Sequence, residues 1–127
     1  MKIPYDVREN GLRIYAYPQG VLDMDMTLDY FERLKADTNV ARGAIEIVDF
    51  KDVTDFRLSY LESQQITARY QEPKAVRTIA ATIFVCESSL AFGIGRMLLV
   101  LHEMANENHK VVLVRFEKEV ESVIRAL

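Results

Sequence analysis

Residues 75–86, AVRTIAATIFVC, limit the fold more than any other stretch of this chain. The run is rich in β-branched and apolar residues on both alternations of an extended backbone. A strand of that kind is covered on both faces, as in the centre of a helix-wrapped, mainly parallel sheet. Ser88 or Ser89 then caps a long helix reaching about Asn106, with Leu90, Ile94, Met97, Leu98, Leu101, Met104 and Ala105 as its apolar positions. Residues 110–116 (KVVLVRF) read as another buried strand. Residues 117–127 close the chain as a helix, with Val120, Val123, Ile124 and Leu127 turned inward.

The first half of the chain supplies the remaining elements. Residues 2–8 and 12–17 are short, rich in Ile, Val and Tyr, and joined by Glu9-Asn10-Gly11; Asn-Gly is a strong hairpin signal. In the second strand Leu12, Ile14 and Ala16 share one face, and Arg13, Tyr15 and Tyr17 the other. Pro18-Gln19-Gly20 ends the strand. Thr27 is the expected N-cap of a helix running to about Asp37, with Asp29 in its first turn and Leu28, Phe31 and Leu34 at helical spacing. Residues 43–50 (GAIEIVDF) read as a strand with Ile45 and Ile47 on one face and Val48 on the other, and KDVTDFRL reads as a loop. Ser59-Tyr60-Leu61-Glu62 is a capping box that starts a helix ending before Pro73. The expected order is β-β-α-β-α-β-α-β-α, an α/β fold with right-handed crossovers and one antiparallel strand from the opening hairpin.

Composition narrows the function classes. The chain has 127 residues, the size of one domain, and half of them are hydrophobic, enough for a core. A formal net charge of −3 gives phosphate backbones no general attraction, so nucleic acid is not an expected partner. The one cysteine, Cys86, rules out an intrachain disulfide. The opening MKIPYDVRENG lacks the apolar stretch of a signal peptide, and no run approaches the roughly 20 apolar residues of a bilayer span. The expectation is a soluble, cytoplasmic single domain.

The chemical motifs mostly fail on spacing. In SSLAFGIGRM the pattern from Gly93 has Leu98 where a dinucleotide fingerprint needs its third glycine, and there is no G-K-[ST] of a P-loop. The apolar spacing puts Gly93 and Gly95 inside the helix, where small residues let it lie close to the sheet. HEMANENH has Asn106 where a zincin needs its second histidine, so His102 and His109 read as structural or solvated, and no metal or cofactor is expected. Cys86 reads as a small buried hydrophobe, since no base is placed beside it by sequence. Asp49, Asp52 and Asp55 follow a strand end, where open α/β sheets place ligand sites, but Asp-rich loops more often serve turns. Tyr15, Tyr17, Tyr60 and Tyr70 read as packing or as a pocket lining.

The hairpin IPYDVRENGLRIYAYPQG, the segment IEIVDFKDVTDF, SSLAFGIGRM and the closing VVLVRFEKEVESVIRAL resemble the SpoIIAA-like family, relatives of the STAS domains that include anti-sigma-factor antagonists. The resemblance covers nearly the whole chain. It implies a sheet wound with helices as a βα superhelix, and regulatory or binding work rather than catalysis. STAS regulators are switched on a serine in a D-S-x-G turn; this chain reads DVTDFRLSYLE there, with Ser59 as its nearest serine. The first expectation is a non-enzymatic STAS-like interaction module, acting as a dimer or with a protein partner; the strand face carrying Tyr15 and Tyr17 is one candidate surface. The alternative is a carrier or sensor of a small anionic or lipid-like ligand at the strand C-terminal ends. Its candidate residues are Asp49, Phe50, Ser59, Ser88, Ser89, Phe92 and Arg96, with the amides of the helix start and Arg96 suited to an anion. A third option is an enzyme using Asp49 or Cys86 in a cleft that perturbs its pKa.

Overall fold

Alternation of apolar residues on both sides of an extended chain demands cover on both sides, and the fold provides it unequally. The computed structural model describes residues 2–70, 79–105 and 109–127, excluding the side chains of 67, 69, 70 and 102–105. The expectations resting on the side chains of Tyr70, His102, Met104 and Ala105, on Pro73 and Asn106, and on residues 75–78 of the strand expected over 75–86, lie outside the described residues. The strands are β1 Tyr5–Arg8, β2 Arg13–Ala16, β3 Gln19–Asp23, β4 Ala44–Asp49, β5 Asp52–Arg57, β6 Ile79–Val85 and β7 Lys110–Val114. The helices are α1 Met24–Ala36, α2 Tyr60–Tyr70, α3 Ser89–Ala105 and α4 Val120–Ala126, the last preceded by a 3-10 turn Glu117–Glu119.

Five strands form one sheet in the order β1-β2-β4-β6-β7, with β1 antiparallel to β2 and every other pair parallel. This is the mainly parallel α/β arrangement with an N-terminal hairpin that the pattern predicts. Glu9, Asn10 and Gly11 all have positive φ at the hairpin turn. A Cβ on Gly11 would collide with the Asn39 carbonyl oxygen, so the turn sits directly on the loop before β4. Ser59 caps α2 as its box predicts: its amide donates to the Glu62 carboxylate at 3.0 Å, and its Oγ accepts from the Glu62 amide at 3.1 Å.

Several local expectations are corrected. The stretch after Pro18 and the KDVTDFRL "loop" are strands β3 and β5, which pair in parallel as a second, two-stranded sheet. Each continues a strand of the main sheet after a short break, so β2 and β4 pair first and their continuations pair again. The N-cap of α1 is Asp23, whose carboxylate accepts from the Met26 amide at 3.0 Å; Thr27 lies inside the helix and donates to the Asp23 carbonyl. Asp29 accordingly lies past the first turn, in an ion pair with Arg33. Leu127 is exposed rather than inward, and the apolar Leu12 and Leu90 are exposed as well, because each sits at the margin of its element, where periodicity no longer reports cover.

The two faces of the main sheet carry different loads. On one face Ile14, Ala16, Ala44, Val48 and Phe84 meet Met26 and Leu34 of α1, Ile66 of α2, and Ala91 and Leu98 of α3. On the other, Ile47, Ile83, Val85 and Val114 meet Val120, Val123 and Ile124, so the segment carrying α4 supplies the cover. Gly95 sets the seat of α3: a Cβ there would stand 2.5 Å from Leu113 Cδ1 and 2.8 Å from Cys86 Sγ. Close packing therefore explains Gly95. It does not explain Gly93, which has open space beside it.

A chain of polar side chains crosses the three-helix face. Glu46 on β4 and Thr82 on β6 are register partners, and both are fully buried. Thr82 Oγ1 donates to Glu46 Oε1 at 2.8 Å and lies 2.9 Å from His109 Nε2, while the Tyr30 hydroxyl of α1 donates to Glu46 Oε2. Thr82 has one hydroxyl hydrogen; with that given to Glu46, its lone pairs accept from His109, which places the imidazole hydrogen on Nε2. Burial pushes the His109 pKa down from 6.5 to about 4.

Two predictions follow from this packing. Gly95→Ala loses about 1–3 kcal/mol by overpacking against Leu113 and Cys86, whereas Gly93→Ala gains about 0.5–1 kcal/mol; urea unfolding of both variants measures the contrast. A neutral buried histidine is disfavoured as pH falls, because the unfolded state takes up the proton first. The His109 contribution is intact above its unfolded pKa of 6.5 and is lost as pH falls toward about 4, roughly 3 kcal/mol in all. Unfolding of the wild type and of His109→Gln at pH 7 and pH 4 separates this loss from the general acid effect; equal losses in the two proteins refute it.

Candidate functional site

Parallel strands deliver their C-terminal ends to one edge, where ligand sites of open α/β sheets gather, and several of the expected residues arrive there on different sides. Asp49 ends β4 and turns toward the α4 face, whereas Phe50 turns into the opposite core, packed on Phe56 and Phe84 with ring centroids 5.5 Å apart in each case. Ser88 caps α3, its Oγ accepting from the Ala91 amide at 3.0 Å. Ser89 is exposed beside it. Phe92 is covered by the Arg115 guanidinium, 4.6 Å from its ring centroid. Arg96 points outward from α3 with no hydrogen bond or ion pair among the described residues, and Ser59 is occupied by its own cap. Phe50 and Asp49 thus face opposite sides of the sheet, and the serines, Phe92 and Arg96 line neither cavity described below.

What the structure does bring together is Asp49 with Tyr15 and Tyr17. They line a cleft of about 170 Å³ between the sheet and the closing segment, floored by Ile47, Val85 and Val120 and rimmed by Arg8, Glu117 and Glu121. The Arg8 guanidinium lies 4.4 Å from the Tyr15 ring centroid, and Lys51 Nζ lies 6.0 Å from that of Tyr17. Arg13 reaches Glu121 at 2.6 Å and ties β2 to α4. Asp49 is only 7% exposed, and its Oδ1 accepts from the Lys51 amide at 3.0 Å. Its pKa is raised, first by burial; the Lys51 amide and charge oppose the rise, and Glu117 and Asp52 add to it. The turn role expected for Asp49 is therefore present, while Asp52 and Asp55 lie in β5. Glu117 and Glu121 belong to no motif in the sequence. Their signal was the spacing of four residues around an inward Val120, which puts both on one side of the closing segment.

A second cavity lies inside the three-helix face, lined by apolar groups including Ala16, Leu22, Phe31, Val48 and Phe84. Its volume of about 50 Å³ is packing space, far below the roughly 300–1,000 Å³ of pockets that enclose drug-sized ligands. Among the described residues no group of three His, Cys, Asp or Glu stands together as a metal site, and no helix is long and apolar enough to cross a membrane.

No family model and no curated protein matches the sequence. Solved structures do match. An uncharacterised protein of the DUF3478 family with a SpoIIAA-like fold, from Shewanella loihica PV-4, superposes with a TM-score of 0.59 at 8% identity, covering 95% of this chain and 90% of that one. The anti-sigma factor antagonist SpoIIAA in its unphosphorylated form superposes with a TM-score of 0.55 at 12% identity, covering 98% and 99%. The chain has the SpoIIAA-like fold.

Cys86 belongs to the scaffold of this edge rather than to its chemistry. It is fully buried, its amide donates to the Val114 carbonyl at 2.8 Å, and its Sγ lies under Gly95. Burial, reinforced by Asp49, pushes its thiol pKa up to about 12, and thiolates, not thiols, react. The folded protein is therefore expected to resist thiol alkylation at pH 8 and to react fully once unfolded in urea. Stoichiometric alkylation of the native state would contradict this placement.

Proposed function

We propose that this chain is a non-enzymatic, STAS-like interaction module that pairs with a second copy of itself through the outer side of α2 and α3, without a phosphoserine switch. The observation that carries the reading is where large apolar side chains are left exposed. Tyr60 and Leu61 on α2 are 59% and 63% exposed, and Leu90 and Val100 on α3 are 48% and 51% exposed. The two helices pack on each other, and their inner sides hold core residues such as Ile66, Ala91 and Leu98. Single exposed apolar residues need no explanation, but several on one helix pair favour a contact surface. Arg96 is exposed on the same helix, at the rim of this patch. In a two-fold pair each copy presents the same patch, so the apolar residues meet their own kind.

The SpoIIAA neighbour is by its name an antagonist of an anti-sigma factor, which agrees in kind with work done through protein contacts. Ser59 supports the absence of a switch. Its hydroxyl is engaged in the cap of α2, and Glu62, bonded back to it, would repel an added phosphate.

Sedimentation velocity across a wide concentration range tests the pairing. The wild type is expected to shift from monomer to dimer, while Leu61→Glu and Val100→Glu stay monomeric with unchanged circular dichroism. A wild type that remains monomeric at millimolar concentration, or variants that dimerise equally well, would sink this reading.

A further inference from the structure

Independently of the pairing surface, we propose that the cleft between β2, β4 and the closing segment binds a small organic cation: an alkylammonium group whose N–H donates to Asp49 and whose short apolar stem rests between Tyr15, Tyr17 and the floor. Asp49 carries the assignment. It is only 7% exposed, lines the cleft, and uses one oxygen on the Lys51 amide; its other oxygen has no hydrogen-bond partner among the described residues. A carboxylate this buried gains from a donor, and most from a charged one.

The rest of the cleft agrees with that sign of charge. Arg8 is paired with Asp6 at 3.1 Å and Glu121 with Arg13 at 2.6 Å, which leaves Asp49 and Glu117 as the lining acids without an ion pair among the described residues. An anion would face these carboxylates at short range, whereas a cation relieves both. The two tyrosine rings are suited to cations and each already meets one, Arg8 at 4.4 Å and Lys51 at 6.0 Å. Arg8 is an exposed side chain and can swing from the Tyr15 ring when a ligand takes its place. Ile47, Val85 and Val120 give the stem an apolar floor, and about 170 Å³ limits the ligand to a short chain.

The test is a titration of the full chain with n-butylammonium chloride, followed by amide proton–nitrogen correlation spectra, with sodium butyrate and sodium chloride at matched ionic strength as controls. The expected result is saturable shifts at Tyr15, Tyr17, Asp49 and Glu117 with butylammonium alone. Asp49→Asn should weaken binding about tenfold, the scale of one charge-assisted hydrogen bond, and Glu117→Gln by a smaller factor. Non-saturating shifts, equal shifts with either control, or unchanged affinity in the variants would overturn the proposal. If Asp49→Asn loses the dispersed spectrum of a folded chain, Glu117→Gln decides: weaker binding supports the site, and unchanged binding overturns it.

Discussion

A carboxyl group at the centre of a sheet is the constraint around which this structure is arranged. Glu46 has no exposure at all, yet it sits on β4, with strands on either side and helices above. Leaving such a group without partners would cost several kcal/mol. Its partners therefore come from elements far apart in sequence: Tyr30 from α1, Thr82 from β6 and, through Thr82, His109 at the start of β7. These bonds specify register as well as stability. Slipping β4 by one residue would carry Glu46 to the opposite face, among Ile47, Ile83 and Val85.

The unequal cover of the two faces divides the molecule's work. Three helices seal one face, so their outer sides, not their inner ones, are free to meet other molecules. The other face relies on a short closing segment, and that cover stops short of the strand ends. Where it stops, the polar ends of Asp49, Tyr15 and Tyr17 meet over an apolar floor. The main sheet thus has three helices with exposed apolar side chains on one side and a small cleft on the other, with the core between them.

Features set by neighbouring residues were legible in the sequence. The Asn10-Gly11 turn, the Ser59–Glu62 box and the buried run of β6 all state their geometry within a few positions, and all three appear as expected. The strands β3 and β5 were not legible. Pro18 and a cluster of aspartates read locally as breakers, while the pairing that makes them strands lies between segments thirty residues apart. The site was only half legible, for a related reason. Tyr15, Tyr17 and Asp49 each stand out in the sequence, but only β2–β4 pairing and the packing of α4 place them in one cleft. His109 carried no useful spacing, and only the fold reveals the threonine and glutamate beneath it.

The position of α4 also bears on how the chain comes into being. The strands and the three helices of the sealed face all precede residue 117, so the cover of Ile47, Ile83, Val85 and Val114 comes from a segment that follows every strand it protects. A chain cut just short of residue 120 would keep every strand and lose this cover together with the Arg13–Glu121 bridge. Its bare apolar side chains would mark the truncated product for quality control.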